Sequence, residues 1–230
     1  MRIIKTLIIT LVLAGICTAQ QKFTFAIGDI VIDEKKVSDQ IKMTTKKDVG
    51  IVDMLNFLEK YTTIKVDKEP VVVTFKKVEE IEKYPLIFMS ADGPIDFSEL
   101  ECKNMAEYCK RGGFIFIDDC VYKSTNSLFF RSFKDLIEKK IFPGKKAKLL
   151  SFDHEIYHCH FDLPAGLPYM QGEAAGGWAV ADDKGRIMIM LSPHDIHCGW
   201  LPGQEKFWSD LAKKQAFQFM TNLVIYSMTH

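Results

Sequence analysis

Carboxylates and imidazoles collect directly after apolar runs in this chain. Ala91, Asp92 and Gly93 follow Leu86 to Ser90 (LIFMS), and Asp118, Asp119 and Cys120 follow Phe114 to Ile117 (FIFI). His194, Asp195 and His197 follow Ile187 to Leu191. His154, His158 and His160 lie shortly upstream of the last cluster, in a segment rich in His, Pro and Gly. Paired carboxylates within reach of imidazoles are what a divalent metal or an acid–base reaction requires. The candidates for catalysis are Asp118, Asp119, His154 and His194, and those for holding a divalent metal are His154, His158, His194 and His197. Asp92, Asp118, Asp119, Tyr157, Asp195 and Trp200 are the candidates for contacting a ligand.

Each of these residues also has a plainer use. Asp119 at a strand end serves equally well as a helix cap. His158-Cys159-His160 can alternate across a strand, with one imidazole buried and bonded. The spacing of His154 and His158 is a zinc spacing only on a helix, and Pro164 and the strand-like Tyr157 argue against one. Cys120 invites comparison with a thiol nucleophile, but Asp118 and Asp119 beside it are expected to raise its pKa. It also lies outside any Gly-x-Cys-x-Gly elbow. Trp178 and Trp200, with Tyr157 and Tyr169, either line a groove for sugar or peptide or pack inside. Walker A, GxGxxG and GxSxG sequences are absent, which removes the best evidence for nucleotide, dinucleotide and serine-hydrolase readings.

The elements that must position these groups alternate. Phe23 to Ile27, Thr62 to Val66, Val71 to Phe75, Leu86 to Ser90, Phe114 to Ile117 and Ala147 to Leu150 read as strands. Ile51, Met54, Leu55 and Leu58 recur at helical spacing and make Asp48 to Lys60 an amphipathic helix. Ser98 with Glu101 is a capping-box start, and Gly112-Gly113 stops the helix that follows. Leu128 to Lys140 and Lys206 to Met228 are further helices. Ser151 to Gly177 shows no sustained period and reads as a long excursion. Gly177 to Ala181 and Ile187 to Leu191 form a hairpin.

This alternation predicts an α/β fold, a three-layer sandwich with a mostly parallel sheet. Ligands bind such sheets outside the carboxyl ends of the strands. If the runs at 86, 114 and 187 are parallel, the three polar clusters share one edge.

Composition bounds the rest. The 230 residues hold 30 basic and 30 acidic side chains and are 47% hydrophobic. That suits one globular domain and gives no general attraction to nucleic acid. Arg2 and Lys5, the apolar run Leu7 to Ile16 and the small residues Cys17 and Ala19 have the form of a cleavable signal peptide over residues 1–19. The run is well short of the ~20 residues that span a bilayer. A mature chain 20–230, exported to the periplasm or beyond the cell, is the expectation, with no transmembrane segment after cleavage. Cleavage removes Arg2 and Lys5 and shifts the charge balance two units to the acidic side. It also leaves Cys102, Cys109, Cys120, Cys159 and Cys198, an odd number, so at least one thiol stays free. Cys102 and Cys109 stand two helical turns apart, roughly 10 Å, too far to bridge. A Cys159–Cys198 pair is open.

Tyr84 to Met89 (YPLIFM), Arg111 to Asp119 (RGGFIFIDD), Ile141-Phe142-Pro143, His154 to Tyr157 (HEIY) and Cys198-Gly199-Trp200 together resemble the domain-of-unknown-function family DUF4159. The resemblance runs from about Phe23 to His230, and GGFIFIDD is its most specific piece. It implies a flavodoxin-like fold similar to the class I glutamine amidotransferases and the ThuA-like proteins, and it implies no activity. Residue by residue it points at Asp118, Asp119, His154 and Tyr157. The amidotransferase cysteine elbow has no match here, so glutamine hydrolysis does not carry over.

Two functions follow as expectations. One is an exported, non-catalytic module whose strand-edge cleft takes a small polar ligand or carbohydrate, or docks another exported protein. The other is a hydrolase, metal-assisted or not, using Asp118, Asp119, His154 and His194. The histidine spacings match no known metal motif, which favours the first.

Overall fold

The computed structural model describes residues 22–30, 49–120, 127–203 and 206–230. The signal-peptide expectation for residues 1–19 lies outside the described residues.

Among the described residues, seven strands form one sheet in the order β2-β1-β3-β4-β7-β6-β5. They are β1 (Phe23–Gly28), β2 (Val66–Val73), β3 (Leu86–Ala91), β4 (Phe114–Asp119), β5 (Lys148–Leu149), β6 (Trp178–Ala181) and β7 (Ile187–Ser192). β1 to β4 and β7 are mutually parallel, and β6 runs antiparallel between β7 and β5. The fold is therefore α/β with a mostly parallel sheet. The helices are α1 (Val49–Tyr61), the short α2 (Val78–Ile81), α3 (Glu99–Lys110), α4 (Leu128–Leu136) and α5 (Asp210–Thr229).

The continuous apolar runs of β3, β4 and β7 are buried along their whole length, as central parallel strands must be. Alternation along the strands divides the core in two. Ile87, Met89, Ile115 and Ile117 pack with α3 and α4 in one cluster. Leu86, Phe88, Phe114 and Phe116 pack with α1 and α5 in the other. Parity therefore decides which cluster each strand-end residue belongs to.

Local signals explain the boundaries. Ser98 Oγ accepts from the Glu101 N–H at 3.3 Å while Glu101 Oε2 accepts from the Ser98 N–H at 3.0 Å, a complete capping box for α3. Gly112 takes φ +107° just past that helix, where an L side chain would be strained. At Gly113 a Cβ would lie 2.3 Å from the Tyr108 ring, which crosses there to bond the Tyr84 carbonyl at 2.7 Å.

Three sequence expectations need correction. The two strands expected at Thr62 to Val66 and Val71 to Phe75 are one edge strand, β2. Its register jumps from Thr24↔Asp67 to Ala26↔Val71, and that irregularity absorbs Pro70, which cannot donate to a ladder. Thr62 instead ends α1, its Oγ1 donating to the Leu58 carbonyl at 2.7 Å. The last helix begins at Asp210 rather than Lys206, because Ser209 is its cap and accepts from the Ala212 N–H at 3.1 Å. The helix expected over Leu128 to Lys140 leaves α geometry after Leu136 and closes as a π-turn, Ile137–Ile141. The excursion expected from Ser151 holds one 3₁₀ turn, Glu155–Tyr157, before β6.

Candidate functional site

β3, β4 and β7 are neighbours and run parallel, with Ser90↔Asp118 and Asp118↔Ser192 in register. Their carboxyl ends do bring the polar clusters after 91, 117 and 191 to one edge. Chain leaving β7 turns back over that edge as a 3₁₀ turn, Ile196–Trp200. Asp118, fully buried, holds the turn: Oδ1 accepts from the Ile196 N–H at 3.0 Å and Oδ2 from the His197 N–H at 2.8 Å. Asp195 enters the turn in the left-handed region at φ 54°.

His197 is the centre of the cluster. Its Nδ1 lies 3.0 Å from Asp118 Oδ2, 3.1 Å from Asp195 Oδ1 and 3.3 Å from Ser90 Oγ. Burial works against the charged ring, but the two carboxylates outweigh it and hold His197 well above the ordinary imidazole range. Asp195 is also fully buried, which pushes its pKa up; the charge of His197 and hydrogen bonds from His197, Gln171 and Cys198 bring it below the usual value. Beneath the ring, Trp200 packs 6.5 Å from His197 and 5.5 Å from Phe88.

Cys120 completes the cluster. It follows β4, with its N–H donating to the Ala91 carbonyl at 2.9 Å, and strand parity puts it on the same side as Asp118. A hydrogen bond from the Cys198 thiol lowers its pKa. Burial opposes this, and the hydrogen bond and charge of His197 add to the lowering, so the thiol settles at about 7. The expected rise from Asp118 and Asp119 is not what decides it: Cys198 and His197 lower the thiol, and the carboxylate that opposes them is Asp195. Cys198 is driven the other way, first by its bond to Cys120 and then by burial and Asp195. The Cys120 sulfur, a carboxylate oxygen of Asp195 and a ring nitrogen of His197 all lie within 4.8 Å of one another.

The remaining candidates sort by position. Asp119 has the opposite parity and serves α4: its Oδ2 accepts from the Phe130 N–H at 2.6 Å, the third amide of that helix. Ser127, in the cap position with φ 43°, makes no side-chain cap of its own, so Asp119 supplies it from the neighbouring strand. Burial pushes the Asp119 carboxyl up to about 7; the Phe130 N–H resists, and Asp118, Asp195 and Asp92 add to the rise. Asp92 is half-buried beside the cluster, its pKa raised by burial and by Asp195.

His194 is buried with both ring nitrogens engaged by backbone. Nδ1 donates to the Pro168 carbonyl at 2.9 Å and Nε2 accepts from the Gly176 N–H at 3.1 Å. Its pKa is lowered by burial, so the ring is a neutral brace for the excursion. His158 bonds Asp162 Oδ1 at 2.6 Å and the Phe152 carbonyl at 2.8 Å, apart from the cluster. Tyr157 is buried against Phe219, with ring centroids 6.0 Å apart. His154 belongs to the opposite edge. It packs 6.1 Å from Tyr226, whose hydroxyl accepts from the N–H of Ile187, the first residue of β7. The length of β7, roughly 16 Å, separates that end from Ser192. There His154 lines a cleft of about 680 Å³ with Lys148, Ala181 and Ile187.

Of the expected residues, then, the edge gathers Asp92, Asp118, Asp195, His197 and Trp200. Asp119 and His194 adjoin it in supporting positions, while His154, His158 and Tyr157 lie elsewhere. Cys120, weighed from the sequence as a nucleophile and set aside, joins the site, and so does Cys198, which was not a site candidate. The one signal available was parity, which sets Cys120 two residues beyond Asp118 on the same face.

No curated protein matches the chain. Residues 36–228 match a domain of unknown function, DUF4159, a span that starts after β1 although β1 lies between β2 and β3 in the sheet. The chain belongs to the DUF4159 family.

Proposed function

We propose that the carboxyl edge of the sheet is a thiol-dependent hydrolase or transferase site, with Cys120 as nucleophile. One observation carries this reading: the Cys120 sulfur lies within 4.8 Å of a ring nitrogen of His197, whose ring is held between the buried carboxylates Asp118 and Asp195. A thiol beside an oriented imidazolium ionises near neutrality, which is what a cysteine nucleophile needs.

In this reading Cys120 Sγ attacks an electrophilic acyl or amidino carbon, and the leaving amine takes its proton from His197. Water, deprotonated by the same imidazole, then attacks the thioester or thioimidate carbon and releases the Cys120 thiolate. Asp118 and Asp195 orient the ring and stabilise its charge, as the third group does in nucleophile–base–acid sites. The buried carboxylates of Asp118 and Asp195 alone outnumber the single imidazolium, and Asp92 lies beside them. That balance disfavours phosphate or carboxylate substrates and suits a neutral or cationic amide or amidine.

The finer fold likeness and the cellular location belong to the same proposal. The order β2-β1-β3-β4-β7 follows the flavodoxin-like pattern, which supports a three-layer fold similar to the class I glutamine amidotransferases and ThuA-like proteins. In this reading the amino-terminal segment exports the chain, and the site works outside the cytoplasm. The alternative is the non-catalytic module, in which the same edge only binds a small polar ligand, a carbohydrate or another exported protein.

The test treats the full chain with 2-chloroacetamidine, iodoacetamide and p-nitrophenyl acetate. Support is labelling of Cys120 ahead of the other thiols, a preference for the cationic reagent over its ratio on free cysteine, and an acyl adduct on Cys120. Turnover of the ester should fall at least 100-fold in Cys120→Ala. Labelling no faster at Cys120 than at Cys159, with no acyl adduct, would overturn the nucleophile in favour of the binding module. Stoichiometric metal that co-purifies and shields Cys120 would overturn it in favour of a metal site.

A further inference from the structure

Cys120, just past β4, and Cys198, in the turn after β7, are far apart in sequence, yet the Cys120 sulfur lies within 4.8 Å of Asp195 and His197, the groups that lead into and carry that turn, and each thiol acts on the other's ionisation. The fold makes that meeting obligatory. Cys120 is tied to β3 through its N–H to Ala91, and the turn carrying Cys198 is tied to β4 through both oxygens of Asp118. Within the turn, the Cys198 N–H donates to the Asp195 carbonyl at 3.2 Å. Both thiols are half-buried, so a small reagent can reach them. The other cysteines are placed differently. Cys102 and Cys109 are buried, their thiols donating to the carbonyls of Phe97 and Met188. Cys159 is exposed and donates to the Asn222 carbonyl at 3.4 Å.

We propose that Cys120 and Cys198 are a reversible redox pair, oxidised to a disulfide by a hydroperoxide. Cys120 thiolate attacks one oxygen of the peroxide, the O–O bond breaks, and the hydroxide released takes a proton to become water. Cys120 is now a sulfenic acid. The Cys198 sulfur then attacks the Cys120 sulfur, forming S–S and expelling the hydroxyl group, which leaves as water with the Cys198 proton. One hydrogen peroxide is reduced to two waters and two thiols are oxidised to one disulfide. An external dithiol reverses the change by thiol–disulfide exchange.

The division of labour follows from the surroundings. His197 stabilises Cys120 as thiolate, the form that attacks peroxide, while Cys198 stays protonated beside Asp195 and acts second. Oxidation would take Cys120 away from His197 and close the site to electrophiles. The redox pair needs only the two sulfurs, and it stands whether or not Cys120 attacks a carbon substrate.

The test exposes the reduced full chain to equimolar hydrogen peroxide and maps the thiols by peptide mass spectrometry. The expected result is a Cys120–Cys198 peptide lacking two hydrogens, formed roughly ten-fold or more faster than oxidation of Cys159 and reversed by dithiothreitol. In Cys198→Ser, Cys120 should instead accumulate as a sulfenic acid trapped by dimedone, and Cys159→Ser should behave as the unaltered chain. The proposal is overturned if the first disulfide joins other cysteines, if Cys120 is oxidised no faster than Cys159, or if Cys198→Ser leaves the product unchanged. Formation of this disulfide by a chain whose reduced form turns over no ester removes the hydrolase reading alone.

Discussion

Asp118 Oδ2 accepts from both the backbone N–H and the ring Nδ1 of His197, at 2.8 and 3.0 Å. One carboxylate oxygen therefore fixes where the turn after β7 sits and how its imidazole is aimed. Position and ionisation of His197 cannot be changed separately through this residue.

Asp118→Asn should accordingly weaken the fold and the site together. An amide at this position offers one oxygen where two carboxylate oxygens accept three hydrogens, and it leaves the imidazolium with half its compensation. Breaking a buried pair in this way costs about 3 kcal/mol. Urea denaturation at pH 7 should show a loss of that order. The pH profile of Cys120 alkylation should shift upward, because a less basic His197 stabilises the thiolate less. A loss of stability with an unchanged alkylation profile would show that Asp118 only anchors the turn.

Asp119 makes a prediction with a defined sign. Its folded pKa, about 7, lies above the ordinary 3.8, so the folded state holds a proton that the unfolded state has released. Stability is therefore lost as pH rises through the window from about 4 to about 7. Asp119→Asn keeps an oxygen to accept the Phe130 N–H and removes the titration. Relative to the unaltered chain, the variant should gain about 2 kcal/mol between pH 5 and pH 8 in urea midpoints converted to free energy. An equal offset at both pH values would mean that the carboxyl is not the titrating group.

The strand ends were legible in the sequence because buried parallel strands are continuous apolar runs, and Asp118 and Asp119 mark where FIFI reaches the edge. Their separate fates were legible only by parity. Asp118 shares the face of Phe114 and Phe116 and meets the turn, whereas Asp119 shares the face of Ile115 and Ile117 and meets α4. His194 and His197 could not be told apart, since both follow the same strand. Which one has its nitrogens filled by Pro168 and Gly176 depends on an excursion without periodicity. Cys120 was misjudged for a related reason. Its neighbours in sequence are acids, but His197 and Cys198 reach it from more than 70 residues away, Asp118 alone spanning 79 to its His197 contact.

His154→Ala tests the separation of the two edges. His154 lines the cleft near Ile187 and bonds the Ile156 N–H at 3.2 Å, the ordinary duty of a cap on a 3₁₀ turn. Losing that cap should cost about 1 kcal/mol in urea denaturation. Alkylation of Cys120 should keep both its rate and its pH profile. A changed profile would mean that His154 communicates with the carboxyl edge along β7.

Gly50 lies in the first turn of α1, where alanine is ordinarily the better helix former by about 1 kcal/mol. Here the sign should reverse. A Cβ on Gly50 would stand 2.9 Å from the carbonyl oxygen of Trp200 and 3.0 Å from its carbon, and both belong to backbone rather than to a flexible side chain. The clash falls at the end of the turn whose other residues are Ile196, His197, Cys198 and Gly199, and Asp118 holds the far end of that turn in place. Gly50→Ala must therefore shift α1 or strain the turn, for a net loss of roughly 1–3 kcal/mol by analogy with overpacked cores. If the turn yields, Cys198 moves relative to Cys120 and peroxide-driven disulfide formation slows while Cys159 reacts as before. If α1 yields, stability falls and the thiol chemistry is untouched. Either loss fits the contact, and a Gly50→Ala chain as stable as the original would show that α1 does not press on the turn.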